Sequence, residues 1–173
     1  MKKLNLFFIV FTFFFAGKML AQGMMPPAPV TSPLLESMMG TWVSEPYEMM
    51  GSKMTDVVTH SMILNGQFLQ IDVKSTADNG FVYEAKGMMS PDNDGNLSGW
   101  MFDIFGKNGI TNYTGKAVGN MVSLSGSNDM MSEKREIAMD GDVMIHGVTF
   151  DMKDASGKAM PQQTIKITYN KQK

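Results

Sequence analysis

Short runs of alternating apolar and polar residues, separated by glycine-containing turns, dominate the chain from Gly40 to its end. Turns that recur roughly every 8 to 12 residues are typical of a β-sandwich or a β-barrel. The turn candidates are Asn65-Gly66, Asp78-Asn79-Gly80, Asp92 to Gly95, Asn108-Gly109, Asp140-Gly141 and Ser156-Gly157. They predict about ten strands in hairpin succession. The predicted starts lie near Gly40, Lys53, Gln67, Phe81, Leu97, Ile110, Asn120, Ser132, Val143 and Pro161.

Simple hairpins leave no segment for a long crossover, which favours an antiparallel up-and-down barrel over a Greek-key sandwich. Alternation also indicates which side chains face the interior. The strand from Trp100 to Phe105 is apolar on both faces, and its two sides are not assigned. The predicted inward positions are Leu69, Ile71, Val73, Val122, Leu124, Met144, His146, Val148, Phe150, Met152, Ile165, Ile167 and Tyr169.

The first residues have the order of a secretory signal peptide: basic, then apolar, then small. Lys2 and Lys3 precede an apolar run from Leu4 to Ala16, and Ala21 ends the segment. The run is shorter than the roughly 20 residues that span a bilayer, although an uncleaved membrane anchor is the alternative. We therefore expect residues 1–21 to be removed, leaving an exported protein, periplasmic or extracellular, with no transmembrane span.

A proline- and methionine-rich segment without periodicity, residues 22–33, predicts a flexible leader. Residues 34–39 are compatible with a short helical turn that closes one end of the barrel. The predicted barrel domain is therefore 34–173.

Composition narrows the classes of partner. The net charge is −2 and no basic cluster occurs, which argues against nucleic acid. The absence of cysteine excludes disulfides. The 20 methionines are either adaptable core filler or thioether ligands of a soft metal such as Cu(I). Adjacent Met-Met pairs in strands point to opposite faces, which favours filler, and we predict no metal site and no cofactor.

The two histidines and the single arginine all fall on apolar faces. A two-residue turn at Asn65-Gly66 sets His60 opposite Ile71, which turns His60 inward. A turn at Asp140-Gly141 sets Arg135 opposite His146. Sliding that turn by one residue, to Gly141-Asp142, makes the two side chains diagonal neighbours, still within reach of each other.

A buried arginine needs an acceptor because it does not lose its proton. One interpretation is that Arg135 receives a ligand carboxylate or phosphate in the barrel interior, with His146, Tyr169 and His60 as further ligand-binding groups. The alternative is that Arg135 pairs with an internal acid, such as Asp56 or Glu84, or lies at the rim.

A related class of barrel holds haem through one histidine, and His146 with its methionine and phenylalanine neighbours is a candidate for that role. A satisfied interior histidine is favoured instead, since metal sites need several convergent ligands. The segment Asp92 to Asn96 resembles a calcium loop but has its glycine misplaced, and it is better interpreted as a hairpin turn. No Gly-x-Ser-x-Gly or His-Glu-x-x-His motif occurs, so we predict no catalytic residue and leave enzymatic activity open.

The helical turn followed by Gly40-Thr41-Trp42 resembles the start of lipocalin-like (calycin) barrels. In those folds the tryptophan plugs one end and stacks under a basic side chain of the last strand, a role that Lys171 would take here. The chain also resembles the bacterial family called domain of unknown function 1579. The matching segments are Gly40-Thr41-Trp42, Asn65-Gly66-Gln67-Phe68, Gly99 to Asp103 and Tyr169-Asn170-Lys171.

This resemblance implies a lipocalin-like barrel and carries no assigned activity. We expect an exported, non-catalytic protein that binds a small, largely apolar ligand, with an acidic group as one option, in the barrel interior. A structural or interaction barrel with a self-filled core is one alternative, and a haem or soft-metal carrier is another. Interior space of a few hundred Å³ would favour ligand binding.

Overall fold

Antiparallel strands make up most of the part of the chain that the structure, a computed structural model, describes: residues 27–154 and 156–173. The predicted signal peptide, residues 1–21, lies outside the described residues. None of the helices in the described ranges is both long and apolar enough to cross a membrane. The strands are β1 (Gly40–Ser44), β2 (Tyr47–Met49), β3 (Ser52–Ile63), β4 (Phe68–Ala77), β5 (Val82–Pro91), β6 (Asn96–Asp103), β7 (Thr111–Val118), β8 (Met121–Ser127), β9 (Met131–Asp140), β10 (Val143–Met152) and β11 (Gln163–Lys171). An α-helix, α1 (Pro33–Met38), precedes them, and a 3-10 helix (Gly106–Gly109) connects β6 to β7.

The sheet closes on itself through β1. From β3 to β11 each strand pairs with the next in sequence, and β1 pairs with both β11 and β3. These ten strands form the closed antiparallel barrel that the hairpin pattern predicts. The short β2 is an additional strand, paired only with the start of β3, and the sequence analysis did not anticipate it.

The turns fix the register between neighbouring strands. His60 pairs with Ile71, as predicted, although the connection is a four-residue turn. For the turn between β9 and β10, the second of the two predicted registers is correct, since Asp140 pairs with Val143. The turn is therefore Gly141-Asp142, and Gly141 takes a φ of 58°, in the left-handed region that glycine reaches without a steric cost.

The strand whose faces the sequence left unassigned, β6, is also resolved. Trp100 and Phe102 point outward and are 42% and 44% exposed, whereas Met101 and Asp103 lie on the inward, half-buried face. Alternation failed here because apolar residues occupy both faces of the strand, so hydrophobicity carried no information about its orientation.

Helix α1 covers one end of the barrel. Ser32 caps its N-terminus, with the side-chain oxygen accepting a hydrogen bond from Leu35 N–H at 3.4 Å, and a proline occupies its first turn. Leu34, Leu35 and Met38 are buried and join the main apolar cluster of the interior. Residues 27–30, from the predicted leader, contact the β3–β4 turn, where Gln67 donates to Ala28 O at 2.7 Å.

Candidate functional site

The interior of the barrel, its lumen, is sealed by α1 at what we call the closed end. Trp42 has no exposed surface, and its Nε1 donates to Met38 O at 2.7 Å. His60 Nδ1 lies 3.0 Å from the same carbonyl, so this nitrogen carries the proton. Lys171 Nζ sits 5.1 Å from the centre of the Trp42 ring and donates to Ser37 O at 3.3 Å. The last carbonyls of α1 are thus satisfied by three side chains of the barrel.

Polar side chains converge in the other half of the lumen. They include all four tyrosines of the chain and its single arginine, together with three carboxylates. We call this set the polar ring: Tyr47, Asp56, Tyr83, Asp103, Tyr113, Glu133, Arg135 and Tyr169. On each strand, the residues of the polar ring share a face with the apolar core residues, so their side chains point into the lumen.

Asp56 is the hydrogen-bond acceptor on one side of the polar ring. Tyr169 Oη donates to its Oδ2 at 2.7 Å, and Tyr47 Oη lies 2.9 Å from Oδ1. Asp56 is only 4% exposed, and no lysine or arginine among the described residues forms an ion pair with it. Burial, followed by the Asp56 charge, raises the pKa of both tyrosines, so they remain neutral donors at physiological pH.

Arg135 and Glu133 form an ion pair on the opposite side. Arg135 Nε lies 3.3 Å from Glu133 Oε1, and Nη2 lies 3.4 Å from Oε2. Glu133 is buried, and next to it Tyr83 Oη donates to Asp103 Oδ2 at 3.1 Å. Burial and then the charge of Glu133 raise the pKa of Tyr113, which places this fourth tyrosine beside the pair.

The guanidinium of Arg135 acts on all four tyrosines and is only partly buried. The charge of Arg135 acts to lower the pKa of all four tyrosines against the opposing effect of burial, so the guanidinium lies among them. Its side chain is nevertheless 27% exposed. Because Arg135 lies on the inward face between buried Glu133 and buried Ile137, solvent reaches part of this side chain on the inner side of the barrel.

His146 lies between the polar ring and the apolar closed end. It is 4% exposed, and neither ring nitrogen has a hydrogen-bond partner among the described residues. Its ring centre is 4.7 Å from that of Tyr169, and it pairs with Ile137, which makes Arg135 its diagonal neighbour. Burial, then the charges of Arg135 and His60, holds the pKa of His146 well below its ordinary value. The ring is therefore neutral, with one free donor and one free acceptor.

The structure brings three of the four predicted ligand-binding residues together. Arg135, His146 and Tyr169 meet at mid-height of the lumen, whereas His60 lies at the closed end, bonded to α1. The acid that faces Arg135 is Glu133, rather than Asp56 or Glu84, the two acids proposed from the sequence. Glu133 precedes Arg135 by two positions, so strand alternation alone places both on one face, and that pattern would have found it.

The remaining members of the polar ring were not singled out from the sequence. Tyr47 lies on the unanticipated strand β2, and Asp103 on the strand whose faces were unassigned. Tyr83 donates to Asp103, and Tyr113 lies beside Glu133 because both residues pair with Gly126 on the intervening strand β8. These contacts follow from the register of several strands, which local pattern does not fix.

Two depressions lie on the outer wall of the barrel. One, of about 510 Å³, crosses β3 to β6 between Val57 and Phe102, and the second, of about 370 Å³, crosses β8 to β11. The ion pairs Lys86–Asp72 and Lys74–Glu84 cross the first. These side chains are paired or solvated, so the outer grooves lack the unpartnered buried polar group that the lumen contains.

No cluster of three or more histidine, cysteine, aspartate or glutamate side chains suited to a metal ion occurs among residues 27–154 and 156–173. Asp92 instead organises a hairpin turn, its Oδ1 accepting hydrogen bonds from the backbone N–H groups of Asp94 and Asn96. The lumen therefore offers hydrogen-bonding and charged side chains next to the apolar side chains of the closed end.

Comparison with known proteins supports the fold and nothing beyond it. The chain is similar to the crystal structure of Rv2717c from M. tuberculosis, with a TM-score of 0.62 and 14% identity over 83% of this chain and 100% of that chain. No family model matches the chain, and no curated protein matches it. The likeness supports the closed β-barrel fold and says nothing about activity.

Proposed function

We propose that this is an exported, non-catalytic protein that binds a small, largely apolar ligand in the lumen, with His146 as the group that recognises its polar end. The observation that carries the proposal is the pair of unpartnered nitrogens on buried His146. An unsatisfied polar group of this kind costs on the order of 1–3 kcal/mol. A ligand that forms hydrogen bonds with the His146 imidazole would remove that cost in the bound state.

The two halves of the lumen suit the two ends of such a ligand. On the closed-end side of His146 the inward residues are apolar and include Met144, Ile137 and Leu69. On the other side lies the polar ring, where the Arg135 side chain is partly exposed. Apolar pockets with a few well-placed polar groups are the usual form of small-molecule sites.

Export is a proposal that rests on residues 1–21, whose order of basic, apolar and small residues is that of a secretory signal peptide. Membership in the domain of unknown function 1579 family is likewise a proposal. It is supported by the first and last matching segments, because the register sets Trp42 against Lys171.

A self-filled structural barrel is the second candidate, and a specific observation favours it. Asp56 already accepts hydrogen bonds from two tyrosines, and Arg135 already faces Glu133. A carrier of haem or a soft metal is the third, favoured by the free lone pair on neutral His146, with Met144 two positions away on the same face.

A thermal-melt experiment separates these candidates. We expect decanol, a neutral apolar probe, to raise the melting temperature of the wild type. At a hundredfold excess over Kd the stabilisation is about 2.7 kcal/mol, or roughly 5–10 °C for a chain of this size. His146→Leu should lose the shift, whereas Ile145→Leu, a volume-conserving change on the outward face of the same strand, should keep the shift.

Failure of decanol, decylamine and decanoate alike to shift the melt would contradict ligand binding in favour of the self-filled barrel. A Soret band on titration with haemin, absent in His146→Leu, would favour the haem carrier instead.

A further inference from the structure

We infer that the polar ring selects a ligand whose polar group is a protonated amine, so that the lumen takes a cationic amphiphile such as an alkyl amine. This inference rests on the proposed function, since it names the class of ligand for the same lumen.

Charge balance is the first argument. The polar ring holds the carboxylates of Asp56, Asp103 and Glu133 against the single guanidinium of Arg135. Glu133 is the acid that pairs with Arg135, at 3.3 Å, so the carboxyl groups of Asp56 and Asp103 have no cationic partner in the described ion pairs. In a partly desolvated lumen, this excess of negative charge attracts a cation and repels a carboxylate.

The hydrogen-bond inventory is the second argument. The protons of Tyr47 and Tyr169 are directed at Asp56, and that of Tyr83 at Asp103. Each phenolic oxygen keeps lone pairs, and a carboxylate offers about four acceptor positions. The ring is therefore rich in free acceptors, and an ammonium group, with three donors and no acceptor, complements it.

His146 is the observation, independent of the acids, that a ligand belongs here. It is 4% exposed and has no partner at either nitrogen among the described residues, and it stacks against the tyrosine that donates to Asp56. Since its ring is neutral, one nitrogen keeps a lone pair that can accept an N–H bond from an amine. A protonated histidine could not do so.

Arg135 is the obvious reason to expect an acidic ligand instead. Two of its five donors point at Glu133, and the other three have no hydrogen-bond partner among the described residues. A ligand carboxylate would bond to Arg135 only at the cost of approaching Glu133. The pair therefore acts as a neutral unit, and the unneutralised acids decide the selectivity.

The test is a calorimetric titration of the purified protein with three ligands of one chain length, decylamine, decanol and decanoate, each below its micellar concentration. We expect decylamine to bind at least tenfold more tightly than decanoate, with decanol between them. Asp56→Asn keeps the acceptor oxygen for the tyrosines and removes the charge, so it should weaken decylamine about tenfold and leave decanol unchanged. Asp72→Asn is the matched control, because Asp72 lies on the outer wall, paired with Lys86, and this variant should bind all three as the wild type does.

If near-ultraviolet circular dichroism shows that Asp56→Asn has lost its fold, Asp103→Asn makes the same test at the less buried acid. Decanoate binding as tightly as decylamine, or more tightly, would overturn the amine inference and leave the proposed function standing. Equal weakening of decanol and decylamine by the aspartate variants would also overturn it. Binding of none of the three ligands to folded wild type would remove the proposed function and this inference together.

Discussion

Replacing Arg135 with methionine removes the guanidinium from the lumen and keeps a side chain of similar length. If Arg135 existed only to anchor a ligand, the apolar replacement would hold or raise stability. The structure sets Glu133 against it, however, at 3.3 Å. The substitution therefore strands a buried carboxylate, and we expect the protein to lose stability.

The magnitude follows from the geometry. Two unit charges 3.3 Å apart attract by about 5 kcal/mol at an effective dielectric constant of 20. The 27% exposure of the Arg135 side chain admits solvent screening, which reduces that value. Removal of one partner from a buried pair costs on the order of 3–5 kcal/mol, and the partial exposure places Arg135→Met near the lower limit, at about 3 kcal/mol.

Urea unfolding of four proteins measures this: wild type, Arg135→Met, Glu133→Gln and the double variant. The double variant leaves no stranded charge, so it should regain about 2 kcal/mol relative to Arg135→Met. Lys134→Met is the control, since its exposed side chain points outward, and it should stay within about 0.5 kcal/mol of wild type. An Arg135→Met protein as stable as the wild type, or a double variant whose losses simply add, would refute the coupling between Arg135 and Glu133.

Four further outcomes follow from the same structure. Trp42→Ala should cost about 3–5 kcal/mol in urea unfolding, the range for a buried aromatic residue, and a loss below about 1 kcal/mol would remove Trp42 from the core. His146→Leu should stabilise the free protein by about 1 kcal/mol, because it removes an unsatisfied buried group, and a loss of similar size would mean that the ring has a partner. Burial raises the pKa of the four tyrosines, so above about pH 10 the folded chain keeps protons that the unfolded chain loses. Stability should then fall by up to about 1.4 kcal/mol per pH unit for each tyrosine, and a tyrosinate absorbance titration with an ordinary midpoint in folded protein would contradict this. Burial lowers the pKa of His60 and His146, so stability should also fall as the pH drops below about 6.5, whereas a flat profile there would place both rings in water.

The strand order and much of the register could be predicted from the sequence, because glycine turns and period-two alternation are local properties. The pairing of His60 with Ile71 needed only one turn and a count of residues. The turn near Asp140 was ambiguous by one residue, since both candidate positions offered a glycine, and the backbone of Gly141 decided it.

The composition of the polar ring could not be predicted in the same way. Alternation places Arg135 inside but does not say which side chains it meets across the lumen, because that depends on how far the ten strands are staggered when the barrel closes. The meeting of Asp56 with Tyr169, 113 positions later in the chain, is of this kind. The strand that carries Tyr47 is only three residues long, too short for its alternation to be recognised.

The central claim is that the lumen holds a small ligand recognised at His146. A native mass spectrum of the protein isolated from the envelope of its own host tests it most directly, compared with His146→Leu expressed and isolated in the same way. We expect a non-covalent adduct on the wild type, released on collisional activation, that is missing from the variant. A wild-type spectrum containing only the bare polypeptide, or the same adduct on both proteins, would contradict it.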